Sequence, residues 1–190
     1  FRRYYTGLVD RVKGKCDDSV VRKLEIVMQQ AGVTPDICPA VKAALDKAAE
    51  TGTPSAAMLL PDGRMVTGKT TSLLGPSAAM LLNAVKLLAG IDKDLDLLPS
   101  SIIAPISDMK TRHLGHHNPR LHSDEVLIAL SISAVTNPLA ERVLKKLDDL
   151  RGSEAHFSVI LSEEDEKLYK RLGIHVSCEP KYEVKKLYHK

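Results

Sequence analysis

At 190 residues the chain can build one substantial core, or one core with a small satellite. A hydrophobic fraction of 44% and a charged fraction of 27% are those of an ordinary globular protein, and no run approaches the roughly 18 apolar residues of a membrane helix. The net charge of +3 comes from dispersed positives, aromatics are 4% and Trp is absent, which argues against a nucleic-acid stripe or a stacking platform.

The opening FRRYYTGLVDRV has basic residues but no apolar stretch with a small-residue cleavage site, so it is not a signal peptide. It lacks a Met, and the chain reads as a piece of something longer. Cys16, Cys38 and Cys178 are far apart and form no C-x-x-C pair. They read as reduced thiols of a cytoplasmic protein.

Residues 1–50 read as helical. Tyr5, Leu8, Val9 and Val12 share one face, and Val20, Val21, Leu24, Val27 and Met28 make another, ending at Gly32. Thr34-Pro35 reads as a cap followed by a first-turn proline, starting a helix with Ile37, Val41, Ala44, Leu45 and Ala48 on one side. Thr51-Gly52-Thr53-Pro54 is the best boundary, dividing a helical segment, 1–52, from an α/β domain, 53–190.

Beyond it the period changes. SAAMLL, the turn PDG and RMVTG predict a hairpin over 55–68. The stretch 77–90 is apolar nearly all round and predicts a helix buried between layers. SSIIAPI, near 101–107, reads as a strand. Residues 123–135 read as a helix capped by Ser123 with acids in its first turn, and Asn137-Pro138 opens another. HFSVIL (156–161), a capped helix over 162–173 and IHVSC (174–178) form a strand–helix–strand unit, whose crossover length predicts parallel strands. The expected fold is α/β: a mixed, mostly parallel sheet with helices on both faces, behind an N-terminal helical segment. No repeat or low-complexity tract is present.

GRMVTGKT (63–70) matches the phosphate-loop pattern letter for letter through Gly63, Gly68, Lys69 and Thr70. Its context does not match. The spacer Arg64-Met65-Val66-Thr67 favours strand, Gly63 sits in a Pro-Asp-Gly turn, and Gly75-Pro76 leaves little room for the helix such a loop requires. A hairpin strand followed by a polar loop is the better reading. Lys69 and Thr70 then join Thr71 and Ser72 in a patch able to add donors to an anion pocket.

Three long segments in order, LLPDGRMVTGKTTSLLGPSAAMLLNAVKLLAGIDK, HLGHHNPRLHSDEVLIALSISA and LRGSEAHFSVILSEEDEKLYKRLGIHV, resemble the C-terminal part of the bacterial UPF 0371 family (domain of unknown function 1846), from FRRYY to the closing KLYHK. The family is uncharacterised, so the resemblance implies no reaction. It implies a longer protein whose N-terminal part, absent here, carries its own Gly-rich, phosphate-loop-like segment and is a partner of this one. The expected order of elements from 53 to 180 is also similar to the cytidine-deaminase-like fold. The His-Ala-Glu or Cys-Ala-Glu and Pro-Cys-x-x-Cys motifs of a zinc deaminase are missing, so that chemistry is not carried over.

Candidate chemistry concentrates in RHLGHHNPRLHSDE (112–125). His113, His116, His117 and His122 beside Asp124 and Glu125 suit a metal by residue type, but their spacing matches no compact metal motif. Arg112, Asn118, Arg120 and His122 ahead of a helix start at Ser123 suit a small anionic or phosphorylated ligand. A solvated polar loop is the plain alternative. In GSEAH (152–156), Glu154 and His156 are two apart where the chain leads into a strand, a spacing that can turn both to one side for acid–base work; the plain alternative is that Glu154 pairs with an arginine or caps a turn. Asp92, Asp94 and Asp96 lack the Gly and the distal Glu of a calcium loop. The site read from the sequence therefore joins Glu154, His156 and His122 as catalytic groups to Lys69, Thr70, Arg112, Asn118 and Arg120 as ligand-binding groups, with no metal and no cofactor assigned. The rival reading is a structural domain or homo-oligomer, whose apolar helices 77–90 and 123–135 make subunit contacts.

Overall fold

A computed structural model describes residues 1–183; the closing KLYHK of the resemblance lies outside the described residues. Among these residues the chain forms eight α-helices and a four-stranded mixed sheet, an α/β fold. In chain order they are α1 (Arg2–Val12), α2 (Asp18–Gln30), α3 (Pro39–Thr51), β1 (Ser55–Leu59), β2 (Met65–Lys69), α4 (Pro76–Leu88), α5 (Ser100–Arg112), α6 (Ser123–Ser133), α7 (Pro138–Leu144), β3 (Glu154–Phe157), α8 (Glu163–Arg171) and β4 (His175–Cys178).

The sheet order is β2-β1-β3-β4. β1 pairs antiparallel with both β2 and β3, and only β3 and β4 are parallel, joined through α8. The expected mostly parallel sheet is thus corrected: the hairpin contributes half of the strands and places β1 at the centre.

SAAML shows why helices cover both faces. Its side chains alternate, as any strand's do. Ala56 and Met58 enter a core with Met80, Leu81, Ala84, Val126, Leu130, Phe157 and Tyr169, from α4, α6, β3 and α8. Ala57 enters a smaller one with Tyr5 of α1, Cys38 just ahead of α3, and Val41 and Ala44 of α3, with Leu59 packed against it. A strand buried on both faces has no polar phase, and this one has none. α4 lies so close to β2 that a Cβ on Gly68 would stand 2.2 Å from the backbone nitrogen of Met80. Gly68 is there because a helix crosses it.

Four local expectations change. SSIIAPI is helical: Ile103, Ile106 and Lys110 recur at helical spacing and turn toward the interior, which outweighs the β preference of isoleucine. That removes a strand from the order on which the likeness to the cytidine-deaminase-like fold rested. Pro35 starts only a 3₁₀ turn, Pro35–Ile37, and α3 begins at Pro39. A helix begun at Pro35 would place Pro39 inside it, where its ring meets the carbonyl four residues back. β3 spans Glu154–Phe157 and not 156–161, because its antiparallel partner β1 begins at Ser55, which pairs with Ser158 as β1 runs out. On α2 only Val21 is buried, while Val20 and Val27 of the expected apolar face are exposed.

Candidate functional site

The crevice beyond the C-terminal end of β3 is where three helices start. Gly75 and Pro76 open α4, His122 precedes α6, and Ser162 caps α8 by accepting from the Asp165 amide at 3.2 Å. All three starts line one small cleft of about 40 Å³ with Asn118, Arg120 and Glu183. Outside the carboxyl ends of strands is the usual place for a site in open α/β sheets.

Asp165 is the buried centre of this region. Its carboxylate accepts the Ser77 hydroxyl at 2.7 Å, the Ser123 amide at 2.9 Å and the Ser162 hydroxyl at 3.1 Å, and the His122 ring presents Nδ1 at 3.5 Å. Burial alone pushes the carboxyl up, but His122, the Ser123 amide and the serine hydroxyls together outweigh it and hold the group at about 2. The facing carboxylate raises His122, against a smaller opposing effect of burial. Asp165 therefore does for α6 what a cap residue normally does, from another helix, and complements its positive end.

His122 is held by its backbone: its N–H donates to Glu125 Oε2 at 2.8 Å. The same oxygen receives Lys110 Nζ at 2.6 Å, and that buried ammonium also donates to the Arg120 carbonyl at 2.7 Å. The loop from Asn118 to His122 is thereby pinned from beneath. Asn118 Oδ1 accepts the Arg120 amide at 3.1 Å, and the Arg120 guanidinium reaches Glu183 Oε1 at 2.6 Å.

The structure brings Asn118, Arg120 and His122 together and leaves the other site residues elsewhere. Glu154 pairs with Arg2 of α1. His156 is fully buried, turned toward α1, with Nδ1 2.8 Å from Ser177 Oγ, Nε2 3.2 Å from Glu179 Oε1 and its ring 4.8 Å from that of Tyr5. Burial first, and then Glu179, push the Tyr5 phenol well above its usual range. Glu154 and His156 share a face, as alternation predicts, but it is the face away from His122. Arg112 is exposed and pairs with Asp108 one turn back on α5 at 2.6 Å. Lys69 is exposed at the end of β2, and Thr70 closes the hairpin, its amide and hydroxyl donating to the Pro54 carbonyl at 2.8 and 2.9 Å.

His113, His116 and His117 lie at the end of α5 and in the exposed loop after it, and no group of three metal-ligating side chains is gathered among the described residues. The acids of IDKDLDLL surround a cation of the chain's own. Lys86 Nζ, buried on α4, donates to the carbonyls of Lys93 and Leu95 at 2.5 and 2.7 Å, and Asp96, Asp94 and Asp92 offset part of its burial cost. Asp165, Ser77 and Lys110 were missed by sequence reasoning. Asp165 hides among four first-turn acids, and the only signal was its place three residues after the Ser162 cap.

The model of the family described as domain of unknown function 1846, C-terminal, matches residues 36–188. A UPF0371 protein of Corynebacterium efficiens is 52% identical over 189 residues, and one of Streptococcus pyogenes is 48% identical over 189. Each alignment covers 100% of this chain and 38% of the relative, so the chain spans well under half the length of the curated relatives it matches.

Proposed function

The chain belongs to the UPF0371 family, and on that premise we propose that it is the C-terminal domain of a longer bacterial protein and supplies one wall of a site for a phosphorylated or otherwise anionic ligand. The observation that carries the reading is Glu183. Its carboxylate lies on Arg120 at the mouth of the cleft, in the place a ligand's anionic group would take. Asp165 already occupies the N-terminal amide of α6, so the ligand is held by side chains and not by the helix end. Arg120 offers a fork of donors, His122 a second cationic donor below its raised pKa, and Asn118 an amide. Glu154, His156, Lys69, Thr70 and Arg112 are not part of this reading.

The test uses the full-length protein. Thermal unfolding is followed with inorganic phosphate, pyrophosphate and ATP with magnesium. A ligand at about 100 times its dissociation constant adds roughly 2.7 kcal/mol. The shift is expected to vanish in Arg120→Ala, to shrink in His122→Ala, and to appear at lower ligand concentration in Glu183→Gln. A shift unchanged by all three substitutions sinks the reading.

A specific observation favours a second, structural reading. Ile128 and Ile132 of α6 and Val135 in the turn after it are 59, 65 and 83% exposed, in a stripe that continues the helical spacing. Such a stripe suits self-association of the full-length protein through α6. A monomer by light scattering, or an oligomer undisturbed by Ile132→Glu, removes it.

A further inference from the structure

A second cavity, of about 150 Å³, lies at the edge strand β4, between α1 and the turn that leads from β3 into α8. It adjoins the cleft at Arg120 and His122, with Phe157, Ile160 and Leu161 lining both. Part of its lining is apolar: Val9 of α1, Val176 of β4, and Ile160 and Leu161 of the turn. Another part is polar and fixed. Ser177 presents a hydroxyl already bonded to the buried ring of His156 at 2.8 Å, and Tyr5 packs its ring against the same imidazole. The rest is ionic. Glu166 of α8 lines it with its carboxylate on Lys170 Nζ at 2.6 Å, and Lys13 and Lys15 reach the cavity from the turn after α1, with Asp10 beside them. None of Lys13, Lys15 and Asp10 has an ion pair among the described residues.

We infer that this cavity is a binding site for a small aliphatic carboxylate, its hydrocarbon body against Val9, Ile160, Leu161 and Val176 and its carboxylate between Lys13 and Lys15. Size supports the body: an apolar void of about 150 Å³ takes a molecule the size of benzene. Chemistry supports the head. Lys13 and Lys15 face one unpaired acid of the lining, Asp10, because Glu166 is taken by Lys170, and an anion relieves the cation left over. An apolar pocket with a few convergent polar groups is the usual form of a small-molecule site. Asp10 is placed to accept from an ammonium group, so an aliphatic amino acid and a plain aliphatic acid are two sources of one chemistry.

Cys178 lines the same cavity and reports on its occupancy. Full-length protein is labelled with N-ethylmaleimide, with and without isocaproate or leucine, and the rates at Cys178 and Cys16 are read by peptide mass spectrometry. A probe at about ten times its dissociation constant slows Cys178 about tenfold by occupancy. Cys16, which does not line the cavity, keeps its rate. The double substitution Lys13→Ala/Lys15→Ala, in the turn after α1, raises the probe concentration needed at least tenfold. Stronger protection by leucine that weakens in Asp10→Asn assigns the amino acid; stronger protection by isocaproate assigns the plain acid. Cys178 labelling unchanged by both probes, or slowed equally in the double variant, overturns the proposal.

Discussion

Two buried polar groups flank the end of β3, and they are held in different ways. Asp165 takes its donors from residues far apart in sequence, Ser77, Ser123 and Ser162, brought together because α4, α6 and α8 begin at one point. His156 takes one partner from strand register: β3 and β4 are parallel, and His156 stands opposite Ser177. The first arrangement depends on three helices packed on one face of the sheet. The second depends on a ladder and on α1 covering the other face with Tyr5. A disturbance of helix packing should therefore harm the Asp165 side and spare the His156 side.

The largest expected effect tests that separation. Gly68→Ala drives a Cβ into the α4 backbone beside Met80 and displaces the helix that carries Ser77. We expect a loss of about 4 kcal/mol or failure to fold, measured by urea unfolding. A neutral outcome would mean that α4 can move without cost and would undo the packing account. Asp165→Ala comes next. It leaves the Ser123 amide and the Ser77 hydroxyl without their acceptor, for about 3 kcal/mol. His156→Leu keeps the volume but strands Ser177 and Glu179, for about 2 kcal/mol.

The pH dependence sharpens the same contrast. Asp165 titrates at about 2 against an ordinary 3.8, so its stabilisation is complete above the ordinary value and is lost as pH falls through about 2. It amounts to about 2 kcal/mol. His122 is raised above its ordinary 6.5, so its contribution is complete below that value and fades as pH rises through the folded one. Urea midpoints across pH should show both limbs, and Asp165→Asn should remove both. Retention of the alkaline limb in that variant would show that another group holds His122. The smallest effect belongs to Arg112→Ala, which removes only an exposed pair on α5 and should change stability by less than about 0.5 kcal/mol.

The candidate site was legible in part. Asn118, Arg120 and His122 are close in sequence and lie just before a helix start, so their meeting followed from local order. Glu154 and His156 share a face by alternation, but which face is set by the partner strands and by α1, and a single strand carries no mark of that. Asp165 stood in plain view among first-turn acids. Its place three residues after the Ser162 cap sets it apart only weakly, and does not tell a carboxylate facing water from one facing two other helices.

By itself the sequence determined the hairpin, through Pro-Asp-Gly between two β-forming runs, and the parallel pair around α8, through a capped helix of crossover length. It also favoured a hairpin strand over a phosphate loop at GRMVTGKT, since Gly75-Pro76 leaves little room for the required helix, and β2 spans Met65–Lys69 there. Tertiary structure alone decided the rest. It set the end of β3 where β1 runs out, made SSIIAPI a helix by giving one stripe of it an interior to face, and collected three helix N-termini on one carboxylate. Local signals act over a few residues, whereas these outcomes depend on partners from other parts of the chain, as far as the 103 positions between Ser55 and Ser158.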